Sequence, residues 1–227
     1  MATGCMIVAE AGSGKSTSIE NLNEKETFII NVSGKPLPFR GWRTRYKAWH
    51  PTDNKEGNYY ETSDPKAVVR LMEKIDSDLP HIKNIIVDDY QYLSSFEYMN
   101  RSDEKGFEKF TSIAKNMFLT ATKPKALRDD LIVFYLTHVE TDTDINGVKR
   151  QKAKTVGKMI DSTITLEGLF TVVLFGKVKK GKEGVEHVFE TKNNGENTCK
   201  APKGMFDAPE IPNDLEIVRK AILEYNN

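Results

Sequence analysis

Apolar residues fall along this chain in two alternating patterns, short continuous runs and sets at helical spacing. Cys5–Ala9, Thr27–Val32, Ile85–Val87 and Leu131–Leu136 are runs rich in Ile, Val and Phe, the form taken by strands buried on both faces. Behind Asp64-Pro65, Val68, Leu71, Met72 and Ile75 recur every three or four residues. Asp as N-cap and Pro at the first helical position predict a helix there. Phe107, Phe110, Ala114, Met117 and Phe118 trace a second helix that Pro124 stops, and a short helix is expected from Ser16. Phe170–Val178 and Val185–Glu190 flank a Lys/Gly turn and read as a β-hairpin. Asn213-Asp214 opens a last helix with Leu215, Val218 and Ile222 inward. Strands alternating with helices predict an α/β fold with a mostly parallel sheet flanked by helices, plus a C-terminal hairpin and helix. Neither an internal repeat nor a linker-like composition interrupts it, so one domain over 1–227 is expected.

The first run leads into Ala9-Glu10-Ala11-Gly12-Ser13-Gly14-Lys15-Ser16-Thr17, which has Walker A spacing with Ala at the first glycine position. Gly12 and Gly14 allow the turn that converges backbone N–H groups on phosphate oxygens. Lys15 can reach β- and γ-phosphates, the Ser16 hydroxyl can ligate Mg²⁺, and a helix from Ser16 would add its positive end. Ser13 and Thr17 complete the nucleotide-binding set. The strand ending in Asp88-Asp89 supplies the acidic partner: Asp88 for the Mg²⁺ shell and Asp89 to orient the attacking water. In P-loop ATPases with an additional strand, the fourth strand slots between the first and third. Its polar end, here Thr137-His138, then sits near the γ-phosphate, which makes His138 a candidate sensor. Lys15, Asp88, Asp89 and His138 form the candidate catalytic set, with ATP and Mg²⁺ as its cofactors.

Composition adds three limits. Cys5 and Cys199 cannot staple a secreted scaffold and point to a reducing compartment, so a cytoplasmic location is expected. The longest apolar runs, Leu131–Leu136 and Leu169–Phe175, fall far below the ~20 residues of a membrane span, and no membrane association is expected. Lys+Arg and Asp+Glu balance at 33 each, but the charges are not evenly spread. Lys35–Lys47, Gly147–Lys158 and Gly176–Lys182 contain no acid and hold 14 of the cations, leaving the other 195 residues 19 cations against 33 acids. Lys35, Arg40, Arg43 and Arg45 are interleaved with Phe39, Trp42 and Tyr46, with Trp49 just beyond. A cationic track with aromatic platforms is how single strands are bound. Lys149, Arg150, Lys154 and Lys158 are candidates for nucleic-acid contact or for a finger reaching a neighbouring copy's γ-phosphate.

The set Gly12–Thr17, Val32–Phe39, Asp88–Tyr92 and Thr137-His138, extended by Lys154–Asp161 and Gly204–Phe206, resembles the AAA-type nucleotide-binding proteins encoded by bacteriophages. Some members are grouped with RecA-like single-strand annealing ATPases. The resemblance covers about Met6 to Ile222 and implies a RecA-like P-loop NTPase core and ATP binding. It further implies single-stranded DNA as partner, self-assembly into a ring or filament, and work beside phage recombination or replication proteins in a host bacterial cytoplasm. Two alternatives stay open. A deoxynucleoside monophosphate kinase would use Gly147–Lys158 as a lid. A non-hydrolysing loader or packaging accessory would tolerate the short Asp89.

Overall fold

The computed structural model describes residues 1–50, 56–143, 147, 149–155, 165–181 and 184–226. Among the described residues nine strands form one sheet: β1 (Thr3–Ala9), β2 (Thr27–Asn31), β3 (Tyr59–Glu61), β4 (Asn84–Asp88), β5 (Ile132–Thr143), β6 (Lys149–Ala153), β7 (Val172–Gly181), β8 (Gly184–Glu190) and β9 (Glu210–Pro212). Their order is β3-β2-β4-β5-β1-β7-β8-β9, and off this path β6 pairs with β5. From β3 to β7 all neighbours are parallel, whereas β7-β8, β8-β9 and β5-β6 are antiparallel. The helices are α1 (Trp42–Arg45), α2 (Pro65–Asp78), α3 (Tyr92–Asn100), α4 (Glu108–Thr122) and α5 (Leu215–Asn226).

The period of two along each central strand divides the core into two layers. Met6, Val8, Phe28, Ile30, Ile85, Val87, Val133 and Tyr135 face one layer, closed by Val68, Leu71, Met72 and Ile75 of α2, Leu93 of α3, and Met117 and Ala121 of α4. Cys5, Ile7, Ile29, Ile86, Ile132, Phe134 and Leu136 face the other, closed by Ile19, Leu22, Phe39 and Tyr46 and by Leu215, Val218 and Ile222 of α5. Both sheet faces are therefore dry, which explains why the central strands read as continuous apolar runs. No described helix is long and apolar enough to cross a membrane.

Most expected elements form at the expected places, and three differ. In α4 the buried stripe is Ile113, Met117 and Ala121, while Phe107 is 80% exposed and Phe118 also faces out. The phenylalanines share a helical spacing, but packing against α2 and α3 selects the neighbouring stripe. After the phosphate loop comes a single 3₁₀ turn, Thr17–Ile19, in place of a helix. The Ser18 hydroxyl donates to the Lys15 carbonyl and competes with helical bonding, and only Ile19 and Leu22 offer an apolar face. Lastly, β5 runs past His138 to Thr143 because Lys149–Ala153, expected as a basic loop, folds back on it as β6.

Candidate functional site

The carboxyl ends of β1, β4 and β5 meet at one edge of the sheet, because β5 lies between the other two. Ala9 is level with His138, and Asn31 with Asp88, so the phosphate loop, the acidic pair and the polar end of β5 open into one cavity. That cavity is about 560 Å³ and is lined by Gly12, Gly14, Lys15, Ser16, Thr17, Lys35, Asp88, Asp89, His138, His187 and Asn213, among others. Ligands of open α/β sheets bind at such a position.

The loop's conformation follows from its glycines. Gly12 and Gly14 have φ of 77° and 88°, in the left-handed region where a side chain is strained. Lys15 folds back so that Nζ donates to the carbonyls of Ala9 (3.0 Å) and Glu10 (2.8 Å). Ser13 Oγ also donates to the Glu10 carbonyl, at 2.6 Å. Carbonyls are thus collected on the inner side of the loop. The amides of Gly12, Gly14 and Lys15 have no acceptor among the described residues. Burial lowers the Lys15 pKa, against the pull of Asp89 and Asp88.

Ser16 Oγ donates to Asp88 Oδ1 at 2.9 Å, which sets a hydroxyl and a carboxylate side by side at the floor of the cavity. Burial, with the neighbouring Asp89 charge adding to it, raises the Asp88 pKa to about 6. Asp89 behaves oppositely. Among the described residues it is the one non-glycine with positive φ, 61°. Burial pushes its pKa up, but hydrogen bonds from His138 and Ser33 and the charge of Lys35 more than offset that, and the value falls to about 2. His138 Nε2 lies 3.3 Å from Asp89 Oδ1, and Lys35 Nζ lies 3.4 Å from Oδ2. The His138 amide donates to Gln91 Oε1, and the His138 ring meets Tyr92 edge-on. The Lys35 ammonium also stands 5.2 Å from the Tyr92 ring centre.

The phosphate loop, Asp88, Asp89 and His138 are therefore brought together. The basic candidates separate. Lys35 lines the cavity beside Asp89. Arg45 is engaged internally, donating to the carbonyls of Glu20 (2.7 Å) and Leu22 (2.9 Å), so it holds the turn after the phosphate loop. Trp49 is buried in the core, and Trp42 is half-buried, 5.5 Å from Tyr59 and with the Arg43 guanidinium over its ring. Arg40, Arg43, Lys149, Arg150 and Lys154 are exposed. Lys158 lies outside the described residues. Of the acid-free stretches, two acquire acids through strand pairing: Lys152 bridges to Glu140 at 3.3 Å, Lys177 to Glu190 at 2.7 Å, and Lys179 pairs with Glu210. Linear counting of charge does not see a neighbour across a ladder. It also misses His187 and Asn213, which reach the phosphate loop from the far end of the chain and carry no local signal.

A glycine-rich loop follows β1, an acidic pair stands at the end of β4, and the strand between them carries Thr137-His138 level with the loop. The fold is an α/β sheet, mostly parallel and flanked by helices, with the glycine-rich loop after its first strand. No family model and no curated protein matches the chain. Among solved structures it is similar to the KaiC-like protein PH0186 of the hyperthermophilic archaeon Pyrococcus horikoshii OT3. The TM-score is 0.48 and the identity 10%, covering 87% of this chain and 82% of that one.

The site fits a magnesium nucleotide. Gly12 has open space where a Cβ would stand, and the unpaired amides line the adjoining concavity. Mg²⁺ takes one or two protein oxygens and completes its shell with phosphate and water. Ser16 Oγ and Asp88 Oδ1 are the oxygens available.

Proposed function

We propose that the chain binds ATP at Gly12–Thr17 and hydrolyses it. The observation that carries this reading is the convergence of Lys15, Ser16, Asp88, Asp89 and His138 on one cavity. The loop amides and Lys15 would hold the triphosphate, and Ser16 and Asp88 would hold Mg²⁺, which would neutralise phosphate charge when bound. Water attacks the γ-phosphorus, and the bond to the β–γ bridging oxygen breaks, leaving its electron pair on ADP. Asp89 takes the water's proton, oriented by His138. Lys35 is assigned to the γ-phosphate as a cation supplied within the same chain. On leaving Asp89 it removes one of the influences that hold that carboxylate's pKa down. Phosphate release from ATP in Mg²⁺, without phosphorylation of deoxynucleoside monophosphates, is the expected result. Transfer to a monophosphate would instead support the kinase reading, and tight ATP binding without turnover the loader reading.

Single-stranded DNA is the proposed partner. Exposed Arg40 and Arg43 stand beside Trp42, and Lys149, Arg150 and Lys154 project from or just beyond β6. The Lys154 amide donates to the His138 carbonyl at 2.8 Å, so this segment is tied to the sensor position. With these five cations on the strand, log K should fall against log[salt] with a slope of roughly −3.5. A fluorescence titration with an oligonucleotide at several salt concentrations measures it, and a flat response would remove DNA from the assignment.

A further inference from the structure

We propose that His187 and Asn213 are positioning residues that aim the Gly14 amide at the phosphate; the proposal rests on the nucleotide-binding reading above. His187 Nδ1 and Asn213 Nδ2 both lie 2.9 Å from the carbonyl oxygen of Ser13. That oxygen can only accept, so the imidazole carries its proton on Nδ1 and the amide presents its nitrogen. In a trans peptide the C=O and the following N–H point in opposite directions. Fixing the Ser13 carbonyl from two sides therefore fixes the Gly14 N–H toward the other side, where it has no acceptor among the described residues. The brace also claims the space beside Gly14, since a Cβ there would stand 2.9 Å from Asn213 Nδ2 and 3.1 Å from His187 Nδ1. Glycine is needed at this position for its φ of 88° and for that close approach alike.

The brace answers a weakness of this loop. The loop is followed by one 3₁₀ turn, so no long helix stiffens it or adds a full dipole at its end. Support comes instead from β8, which carries His187, and from the residue that leads into α5. The Asn213 amide donates to the His187 carbonyl at 3.2 Å, so the two positions are held as a unit. Both side chains line the cavity, and the Asn213 Oδ1 atom is buried without a partner among the described residues.

The test is a titration of the full chain with ATP and with inorganic tripolyphosphate, which has the phosphates but no base. His187→Leu and Asn213→Leu should each weaken both ligands by about 3–10-fold and together by about 10–100-fold, as loss of one or two hydrogen bonds implies. His187→Asn, whose amide can take the place of Nδ1–H, should recover most of the loss. Equal affinity in the folded double variant and the wild type would overturn the proposal. Failure of the wild type to bind either ligand would overturn the nucleotide-binding reading instead. Should a variant lose its fold, hydrogen exchange at the Gly14 amide of the wild type decides. Exchange must slow when tripolyphosphate is added, and an unchanged rate would reject the role.

Discussion

Asp88→Asn is expected to raise the stability of the ligand-free protein at pH 7 by about 2–3 kcal/mol, and to remove Mg²⁺-dependent nucleotide binding. The Asp88 carboxyl is buried, and its pKa is raised from the ordinary 3.8 to about 6. A carboxyl whose pKa is raised on folding binds more protons in the native state than in the unfolded chain. Stability therefore falls as pH rises from about 4 to about 6, and at pH 7 the whole penalty is present. Each pKa unit corresponds to about 1.4 kcal/mol, which gives the size stated. Asparagine keeps the acceptor for Ser16 Oγ without the buried charge. For a chain of this length the gain corresponds to roughly 4–12 °C in melting temperature. Wild type should lose stability between pH 4 and 6 in a way that the variant does not, read by thermal denaturation at several pH values. Nucleotide binding has the opposite requirement. Wild-type affinity for ATP with Mg²⁺ should weaken below about pH 6, where Asp88 is protonated. On the proposed reading, the Asp88 charge costs stability until metal and phosphate compensate it.

Lys35→Met is expected to lower kcat for ATP hydrolysis by about 10²–10³-fold, near the lower range for loss of a phosphate-directed cation. KM should change far less, because Lys15 and the loop amides remain. In the resting site the Lys35 ammonium stands 3.4 Å from Asp89 and is mostly exposed, so moving toward an incoming phosphate breaks one weak ion pair. The preference for ATP over ADP should shrink in the variant, since the lost cation faces the γ-phosphate alone. Lys35→Arg should retain part of the rate. Turnover per molecule should also be independent of protein concentration, whereas a finger supplied by a neighbouring copy would make it rise with concentration. Full activity in Lys35→Met would return the assignment to Lys154 or Lys158.

Much of this site can be read from residues that are close in sequence. Gly12, Gly14, Lys15 and Ser16 act through one backbone turn, and their spacing is the geometry. Asp88 and His138 end apolar runs, and a run buried on both faces places its last polar residue at the sheet edge. The reading fails where a residue's role depends on what lies across a strand pair or at the far end of the chain. Lys152 and Lys177 look like unpaired cations until Glu140 and Glu190 arrive beside them. Arg45 looks like part of a binding track until its guanidinium is found on the carbonyls of Glu20 and Leu22. Phe107 and Phe118 look like core until α4 turns Ile113 and Met117 inward. In each case the deciding term is a contact whose partner is not adjacent in sequence.

The sequence by itself determined the alternation of strands and helices, the parallel sheet and the phosphate loop, because periodicity and glycine placement act within a few residues. The order of motifs also places β5 between β1 and β4, as the sheet has it, but only the tertiary structure sets His138 Nε2 3.3 Å from Asp89 Oδ1. It also brought the exposed Lys35 ammonium to Asp89 at the cavity, and it set His187 and Asn213 on the Ser13 carbonyl across 174 and 200 residues of chain. Those outcomes depend on which strands pair and which faces pack, and burial in the whole core, rather than any local preference, selects them.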